Sequence, residues 1–482
     1  MTNMMDIYAI LPVIIVVGWA LLLLIADLWI PKDRKGVTAL LAVVGMAIAL
    51  GFVLAASGST ILGWNQMVVL DGFASFLQVI FLVSGMAAVA LAYDYIQRMQ
   101  INHGEFYVLM MFSLSGMMLM AQAYNLLMVF LSLELLSIPL YVLTGFARTK
   151  LESEEASLKY FMLGAFASGF VLYGTALIFG ATGQLDFVGI AATVQAGSTN
   201  TVLFLIGAAL LLVGFGFKIA AVPFQMWTPD VYQGAPTPIT AFMSVAVKAA
   251  GFSALMRVFL VLFPGLSAQM TPIFWTLAAL TMIVGNVVAL VQNNIKRMLA
   301  YSAIAHAGYL LMAFVAFGNG EVARNSVASM LFYLVAYGLT SLGAWGLVVL
   351  IEKEYGKGLM LDDLSGIGKK YPWLGIAMLI FMLSFAGVPL TMGFWGKFYL
   401  FRTAVEAGFL GLALIGLLTS VVSAYYYLRV VVYMFMKPGE PELKLNSWVT
   451  FVIGVAALAV LLLSLVPWTI FEFASRAVLL LQ

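Results

Sequence analysis

The chain has 482 residues, of which 64% are apolar and only 9% charged, with a mean hydropathy of +1.07. Soluble domains carry roughly 25% charged residues to keep their surface wetted, so a deficit of this size puts most of the surface against lipid. A net charge of +2 argues against a nucleic-acid partner, and the absence of cysteine excludes disulfides, thiolate metal sites and iron–sulfur ligation by this chain. The two histidines, His103 and His306, are too few and too far apart in sequence to suggest a haem or a three-histidine zinc site.

A hydrocarbon core of about 30 Å takes about 20 helical residues. Apolar stretches of that size recur from end to end and predict an all-α integral membrane protein with about fourteen transmembrane helices, at 7–29, 37–57, 71–94, 106–122, 125–146, 158–182, 201–225, 237–263, 271–293, 299–318, 327–351, 374–401, 407–436 and 447–470. The first run lacks a basic flank and is longer than the apolar core of a cleavable signal peptide, so it reads as a retained span.

Loop charge checks the count independently. Fourteen lysines and arginines fall in the odd-numbered loops, while the even loops and the C-terminal tail hold only Arg324, Arg402 and Arg476. A miscounted helix in the middle would scramble this bias, and the positive-inside rule then places both termini on the outer, periplasmic face of a bacterial inner membrane. Six basic residues remain within the spans or at their ends: Lys159, Lys218, Lys248, Arg257, Lys397 and Arg429.

Two spans read as broken. The seventh contains Gly-Phe-Gly-Phe-Lys218-Ile-Ala-Ala-Val-Pro223, and the twelfth runs from Ser384 through Val388-Pro389 to Lys397. A proline inside a helix removes one hydrogen bond and clashes with the preceding turn, so the freed carbonyls need other partners. The two share a local plan of small residues, Val-Pro, then methionine and aromatics, and they lie five apart in the helix count. An odd offset inverts orientation, which predicts two inverted five-helix repeats around a midplane site. The expected division is an N-terminal three-helix segment at 1–105, repeats at 106–263 and 271–436, and a C-terminal helix within 437–482.

The intramembrane ionisable groups carry the functional reading. Glu134 sits about nine residues from either end of its apolar span and should face the bundle interior, as a relay group or as a structural hydrogen-bonding one. The proton affinity of Lys218 is open to tuning by burial and by a carboxylate that approaches or recedes; Glu134 is the natural partner, and a static ion pair is the alternative. Lys248, near mid-membrane among small residues, suits a proton carrier or a permanent donor to backbone carbonyls. His306 is either a relay or a satisfied core histidine, with Tyr301, Ser302 and Tyr309 beside it. Lys397 ends a graded series from inside to outside, unless it snorkels to the interface. Arg257 and Arg429, closer to helix ends, read as anchors. Lys159 pairs with Glu155 at i,i+4 and reads as interfacial. Asp27 has no sequence-level account beyond its nearness to the interface.

Three stretches together resemble one family: Gly214 to Pro238, which includes Trp-Thr-Pro-Asp-Val-Tyr-Gln-Gly-Ala-Pro-Thr-Pro; Asn294 to Tyr309, Asn-Ile-Lys-Arg-Met-Leu-Ala-Tyr-Ser-Ala-Ile-Ala-His-Ala-Gly-Tyr; and Gly387-Val-Pro-Leu-Thr-Met-Gly-Phe-Trp-Gly-Lys-Phe-Tyr. They are similar to the antiporter-like membrane subunits of proton-pumping NADH-quinone oxidoreductase, respiratory complex I, and the likeness covers nearly the whole chain. The Trp227 motif and Lys397 resemble the N-type branch; M-type subunits carry a glutamate at the latter place. The chain stops about twelve residues after its last predicted helix, which leaves no room for the lateral extension of L-type subunits.

The resemblance implies roles. Glu134 and Lys218 would be the pair that senses the neighbouring subunit, Lys248 the central carrier, His306 a relay, and Lys397 the terminal carrier toward the outer face. It implies M-type and small K-type neighbours in the membrane arm, and NADH, flavin, iron–sulfur clusters and quinone in partner subunits, with no cofactor in this chain. The rival readings are a multisubunit cation/proton antiporter subunit and a passive membrane scaffold.

Overall fold

The spans are apolar on every side, which is what helices immersed in lipid require, because each must satisfy its backbone polar groups internally. The computed structural model describes residues 4–261, 267–317, 322–353 and 357–477. Among these, thirteen helices are long and apolar enough to cross a membrane. A further crossing is made in two shorter pieces, α16 (Pro372–Ala386) and α17 (Met392–Glu406), in agreement with about fourteen.

Helices α1 (Met4–Ala26), α2 (Gly36–Ala55) and α3 (Gly72–Arg98) open the chain. Asp71 caps α3 by accepting from the Ala74 amide at 2.8 Å, a common way to satisfy the free N–H groups of a first turn. A short hairpin not foreseen from the sequence, β1 (Ile61–Gly63) and β2 (Val68–Leu70), links α2 to α3. Val68 also bridges to Ala123, which separates α4 (Glu105–Gln122) from α5 (Leu126–Thr144).

Helices α4 and α5 meet backbone to backbone. A Cβ placed on Gly116 of α4 would lie 2.4 Å from the Leu136 amide nitrogen of α5, an approach only glycine permits. Gly116→Ala is therefore expected to overpack the pair and cost about 1–3 kcal/mol. The melting temperature of the purified complex should fall, and an unchanged value would mean that the two helices separate freely.

After α6 (Leu151–Thr182) and the short α7 (Phe187–Gln195), α8 (Thr201–Ile219) stops earlier than the expected 201–225. Ala220 takes the left-handed conformation at φ 61, the Val222–Pro223 bond is cis, and the chain resumes as α9 (Trp227–Gly234), a segment the sequence reading left as a loop. The groups freed by the break find partners elsewhere: Val222 N–H donates to Thr281 Oγ1 at 2.9 Å, and Trp227 Nε1 donates to the Phe217 carbonyl at 2.9 Å. The second break follows α16, where Gly387 and Leu390 adopt φ of 86 and 68 before α17 begins.

The next span runs from Thr237 to Leu260 as α10 (Thr237–Phe242), a π-helical turn (Met243–Val247), α11 (Lys248–Met256) and a second π turn beginning at Arg257. Every residue in it is buried, so this helix is the centre of the bundle. It packs against α3, α4, α8 and α14 (Ala323–Ile351), while α12 (Ser267–Leu290) lies against α13 (Ile295–Phe317), whose Ala303 carbonyl Lys248 reaches. The small α15 (Ile367–Lys370) precedes the second broken span, and α18 (Leu410–Met436), α19 (Ser447–Leu462) and α20 (Pro467–Arg476) complete the chain.

Two charged residues differ from their sequence reading. Arg257 is not an interfacial anchor. It is fully buried and forms a bidentate pair with Asp71, at 2.7 and 2.6 Å, while its Nε donates to the Ala121 carbonyl at 3.0 Å. One arginine thus ties the central helix to the caps of α3 and α4. Asp27 is also buried, held by Lys35 at 2.6 Å and by the Thr38 hydroxyl at 2.5 Å. Its neighbour Gly104 has no room for a side chain, because a Cβ there would fall 2.0 Å from Asp27 Oδ1. Arg429 does act as a clamp at a helix end, donating to the Leu290 and Gln292 carbonyls.

Candidate functional site: a buried polar axis

The polar side chains inside the bundle converge on the two broken spans and on the central helix. Lys218 occupies the last turn of α8, just before the first break, and its amine donates to Ser137 Oγ at 2.8 Å and Tyr160 OH at 3.1 Å. Both acceptors are neutral. Glu134 lies one turn before Ser137 on α5, near enough to act on Lys218 electrostatically, yet the two make no ion pair within 4 Å among the described residues. Two neutral hydroxyls, not the expected carboxylate, thus receive the Lys218 amine. Glu134 Oε1 is itself buried without a hydrogen-bond partner among the described residues. An ionised carboxylate left so is costly, so its situation is sensitive to anything that moves α5 or approaches it.

Lys248 opens α11 immediately after the π turn, with only 3% of its surface exposed. Inserting one residue into a helix rotates everything beyond it, and π bulges often mark functional positions for that reason. Its amine donates to the Ala303 carbonyl and faces the Tyr337 ring with 5.9 Å to the centroid. Ala303 lies one turn before His306 on α13.

His306 is held on both sides. Nδ1 meets Tyr333 OH at 2.5 Å and Nε2 meets Tyr427 OH at 3.0 Å; Tyr427 OH continues to Ser302 Oγ at 2.5 Å. Of the supporting residues expected from sequence, Ser302 belongs to this network, and Tyr309 sets its ring edge-on to His306 with centroids 5.6 Å apart. Tyr333 of α14 and Tyr427 of α18 were missed, since nothing in a linear chain says which tyrosines of distant spans face one histidine.

Lys397 does not snorkel. It is 5% exposed, and its amine donates to the Phe385 and Ala386 carbonyls at 2.8 and 3.0 Å and to Ser420 Oγ at 2.6 Å, over the Tyr309 ring at 4.9 Å. The break frees the last carbonyls of α16, and a cation is favoured at that negative end of a helix. Asn286, Tyr426 and Thr419 extend the polar surroundings of Tyr309, through hydrogen bonds of 2.9 to 3.5 Å. Lys248, His306 and Lys397 therefore stand on one polar axis with tyrosines between them, and Lys218 adjoins it through α11, where a Cβ on Gly251 would lie 3.4 Å from the Lys218 side chain.

The chain was compared with known proteins. The family model described as NADH:quinone oxidoreductase/Mrp antiporter, TM matches residues 123–423. The chain belongs to this family. The matched region includes Glu134, Lys218, Lys248, His306 and Lys397, and ends just before Tyr426 and Tyr427. NADH-quinone oxidoreductase subunit N of Trichlorobacter lovleyi is 47% identical over 98% of this chain and 97% of its own. A chain of respiratory complex I from Thermus thermophilus with bound aureothin superposes with a TM-score of 0.83 at 35% identity, covering 97% of this chain and all of that one. A chain of the Mrp complex from Dietzia superposes with a TM-score of 0.86 over 98% of this chain and 96% of that one, at 19% identity, a likeness of fold alone.

Family membership leaves further buried charges to explain. Lys296, counted as a loop residue from sequence, is 1% exposed and donates to the Ala235 carbonyl at 2.7 Å. Lys159 bridges Glu155 at 2.6 Å and Asp230 at 2.7 Å, and Arg297 pairs with the other Asp230 oxygen at 2.6 Å, which fastens α9 to α6 and α13. Burial pushes the Asp230 carboxyl up, but hydrogen bonds from Lys159 and Arg297 outweigh it and hold the group below its usual range. Among the described residues, no three His, Asp or Glu side chains gather as a metal site.

Proposed function

We propose that the buried axis is the proton path of this chain, a proton-translocating membrane subunit of NADH-quinone oxidoreductase that has no redox centre of its own. The observation that carries this reading is three lysine amines, each away from water, each bonded only to neutral oxygens and each beside a tyrosine ring. An amine without a carboxylate within ion-pairing distance is free to gain and lose a proton as its surroundings shift, whereas one locked to a carboxylate is not.

In this reading Glu134 and Lys218 form the responsive pair, with Ser137 and Tyr160 accepting from the amine. The orphan oxygen of Glu134 supports this, because any neighbouring subunit that moves a positive group toward it changes the field at Lys218. Lys248 is the central carrier, His306 and its two tyrosines relay the proton, and Lys397 releases it. Loop charge supports an inner-membrane setting with both termini outside, so that the path runs from Lys218 on the cytoplasmic side to Lys397 on the outer side. M-type and K-type neighbours, and NADH, flavin, iron–sulfur clusters and quinone in partner subunits, complete the assembly.

The two broken spans support inverted five-helix repeats at 106–263 and 271–436, flanked by a three-helix segment at 1–105 and the C-terminal part at 437–482. Lys218 precedes its break and Lys397 follows the other. Broken helices around a midplane site are how transporters place polar backbone at membrane depth.

Lys397 supplies the test. Replacing it with methionine keeps most of the volume and removes the proton-carrying amine. In membrane vesicles holding the assembled complex, protons moved per NADH oxidised should fall by more than half. An assembled variant that pumps at the parental ratio would exclude Lys397 from the path.

A further inference from the structure

Glu352 is a buried carboxylate that the proton path above does not use. It follows the last turn of α14, is 2% exposed, and gathers groups from four other parts of the chain: Tyr95 OH at 3.1 Å, Lys150 Nζ at 3.4 Å, the Thr237 hydroxyl, and the charge of Lys296. Burial pushes its carboxyl up, but Lys296 and Lys150, with hydrogen bonds from Thr237 and Tyr95, outweigh that and hold it below the usual carboxylate range.

The carboxylate is not alone in fastening the end of α14. Arg98 does so by donating to the backbone carbonyls of Val349 and Glu352 at 2.6 and 2.7 Å. Lys296 is bonded to the Ala235 carbonyl, not to Glu352. What the side chain does reach is the first residue of the central helix. From Thr237 the helix carries Thr240 and Ser244 at spacings of three and four, and Lys248 comes four residues later, directly after the π turn at Met243–Val247 that rotates the helix there. All four are buried. Ser244 Oγ meets Ser341 Oγ of α14 at 3.0 Å, one turn from Tyr337, whose ring faces the Lys248 amine. The rise from Thr237 to Lys248 is about 16 Å, lined with hydroxyls that both donate and accept.

We infer that Glu352 is the proton-collecting group on the cytoplasmic side and that the hydroxyl face of Thr237, Thr240, Ser244 and Ser341 delivers its proton to Lys248. Glu352 takes one proton from the cytoplasmic water and gives one up to the hydroxyl line. At the far end the neutral Lys248 amine gains one, so charge and protons balance. Lys150 and Lys296 return the carboxylate to its ionised form after each transfer. This assignment rests on the proton-path reading of Lys248.

The test uses the assembled complex in membrane vesicles, with assembly checked on native gels. Glu352→Gln keeps the shape and the hydrogen bonds to Thr237 and Tyr95 but cannot carry a proton, and Glu352→Asp keeps the carboxylate. The glutamine variant should pump about threefold fewer protons per NADH or worse, the aspartate variant should recover most of the loss, and acidifying the cytoplasmic side should partly rescue the glutamine variant by supplying protons past the missing group. An equal loss in both variants without rescue by acid would reduce Glu352 to a structural role and overturn the assignment, as would full pumping by Glu352→Gln. Should Glu352→Gln fail to assemble, Ser244→Ala with Ser341→Ala interrupts the line away from the Arg98 clamp; pumping should drop, and parental pumping would overturn the assignment. If Lys248→Ala abolishes pumping while the Glu352 and serine variants do not, only this inference fails. If Lys248→Ala pumps normally, the underlying reading fails with it.

Discussion

Replacing Lys248 with alanine is expected to lower proton-coupled quinone reduction about tenfold or more, while the complex still assembles. The magnitude follows from what a positioned proton donor or acceptor contributes to a transfer step. The structure explains why assembly should survive: the amine donates to one backbone carbonyl, Ala303, and no carboxylate within 4 Å depends on it among the described residues. Removing it therefore leaves no buried counter-charge behind. Lys248→Met, which fills the same space, should be as inactive as the alanine variant and better assembled. Vesicle proton uptake and NADH:quinone activity, measured together, decide the matter. Parental values for both in assembled Lys248→Ala would leave the chain a scaffold.

Arg257→Met is the opposite case, a loss of structure before any loss of chemistry. Arg257 and Asp71 are 0% and 2% exposed at their side chains and share two hydrogen bonds, so removal of the arginine strands a buried carboxylate. Breaking such a pair costs about 3–5 kcal/mol, much more than the pair is worth against a neutral replacement. The single variant should fail to accumulate in the membrane. Arg257→Met combined with Asp71→Asn should recover much of the protein, because asparagine also caps helices and no charge remains buried. Quantitative blots of membranes and melting curves of the purified complex check both, and a double variant no better than the single would mean that the ion pair is not the cause.

These two arginine and lysine positions show what the sequence could and could not say. Both are basic residues within one apolar span, and depth along the span was the only guide. It served for Lys248, which is near mid-membrane. For Arg257, eight residues or so nearer the end, depth suggested an anchor, because the partner Asp71 lies at the start of a span far back in the chain. Likewise Asp27 gained its explanation only when Lys35 and Thr38 folded onto it. Lys296 falls with the loops by sequence and Glu352 just past a span, and nothing in their own neighbourhoods signals that they are buried.

The sequence by itself determined the class of the protein, the approximate number of crossings, the two breaks, and several ionisable groups within apolar runs. Each follows from short-range physics: lipid admits only self-satisfied helices, proline interrupts a hydrogen-bond ladder wherever it falls, and a charge in an apolar run is conspicuous. Tertiary structure alone decided who bonds to whom. Ser137 accepts from Lys218, two tyrosines from separate spans hold His306, Arg257 finds Asp71, and Glu352 reaches Thr237. Those pairings depend on how helices far apart in the chain rotate and stack against one another, and bonds of about 3 Å are formed or lost by shifts far smaller than any hydropathy pattern can specify.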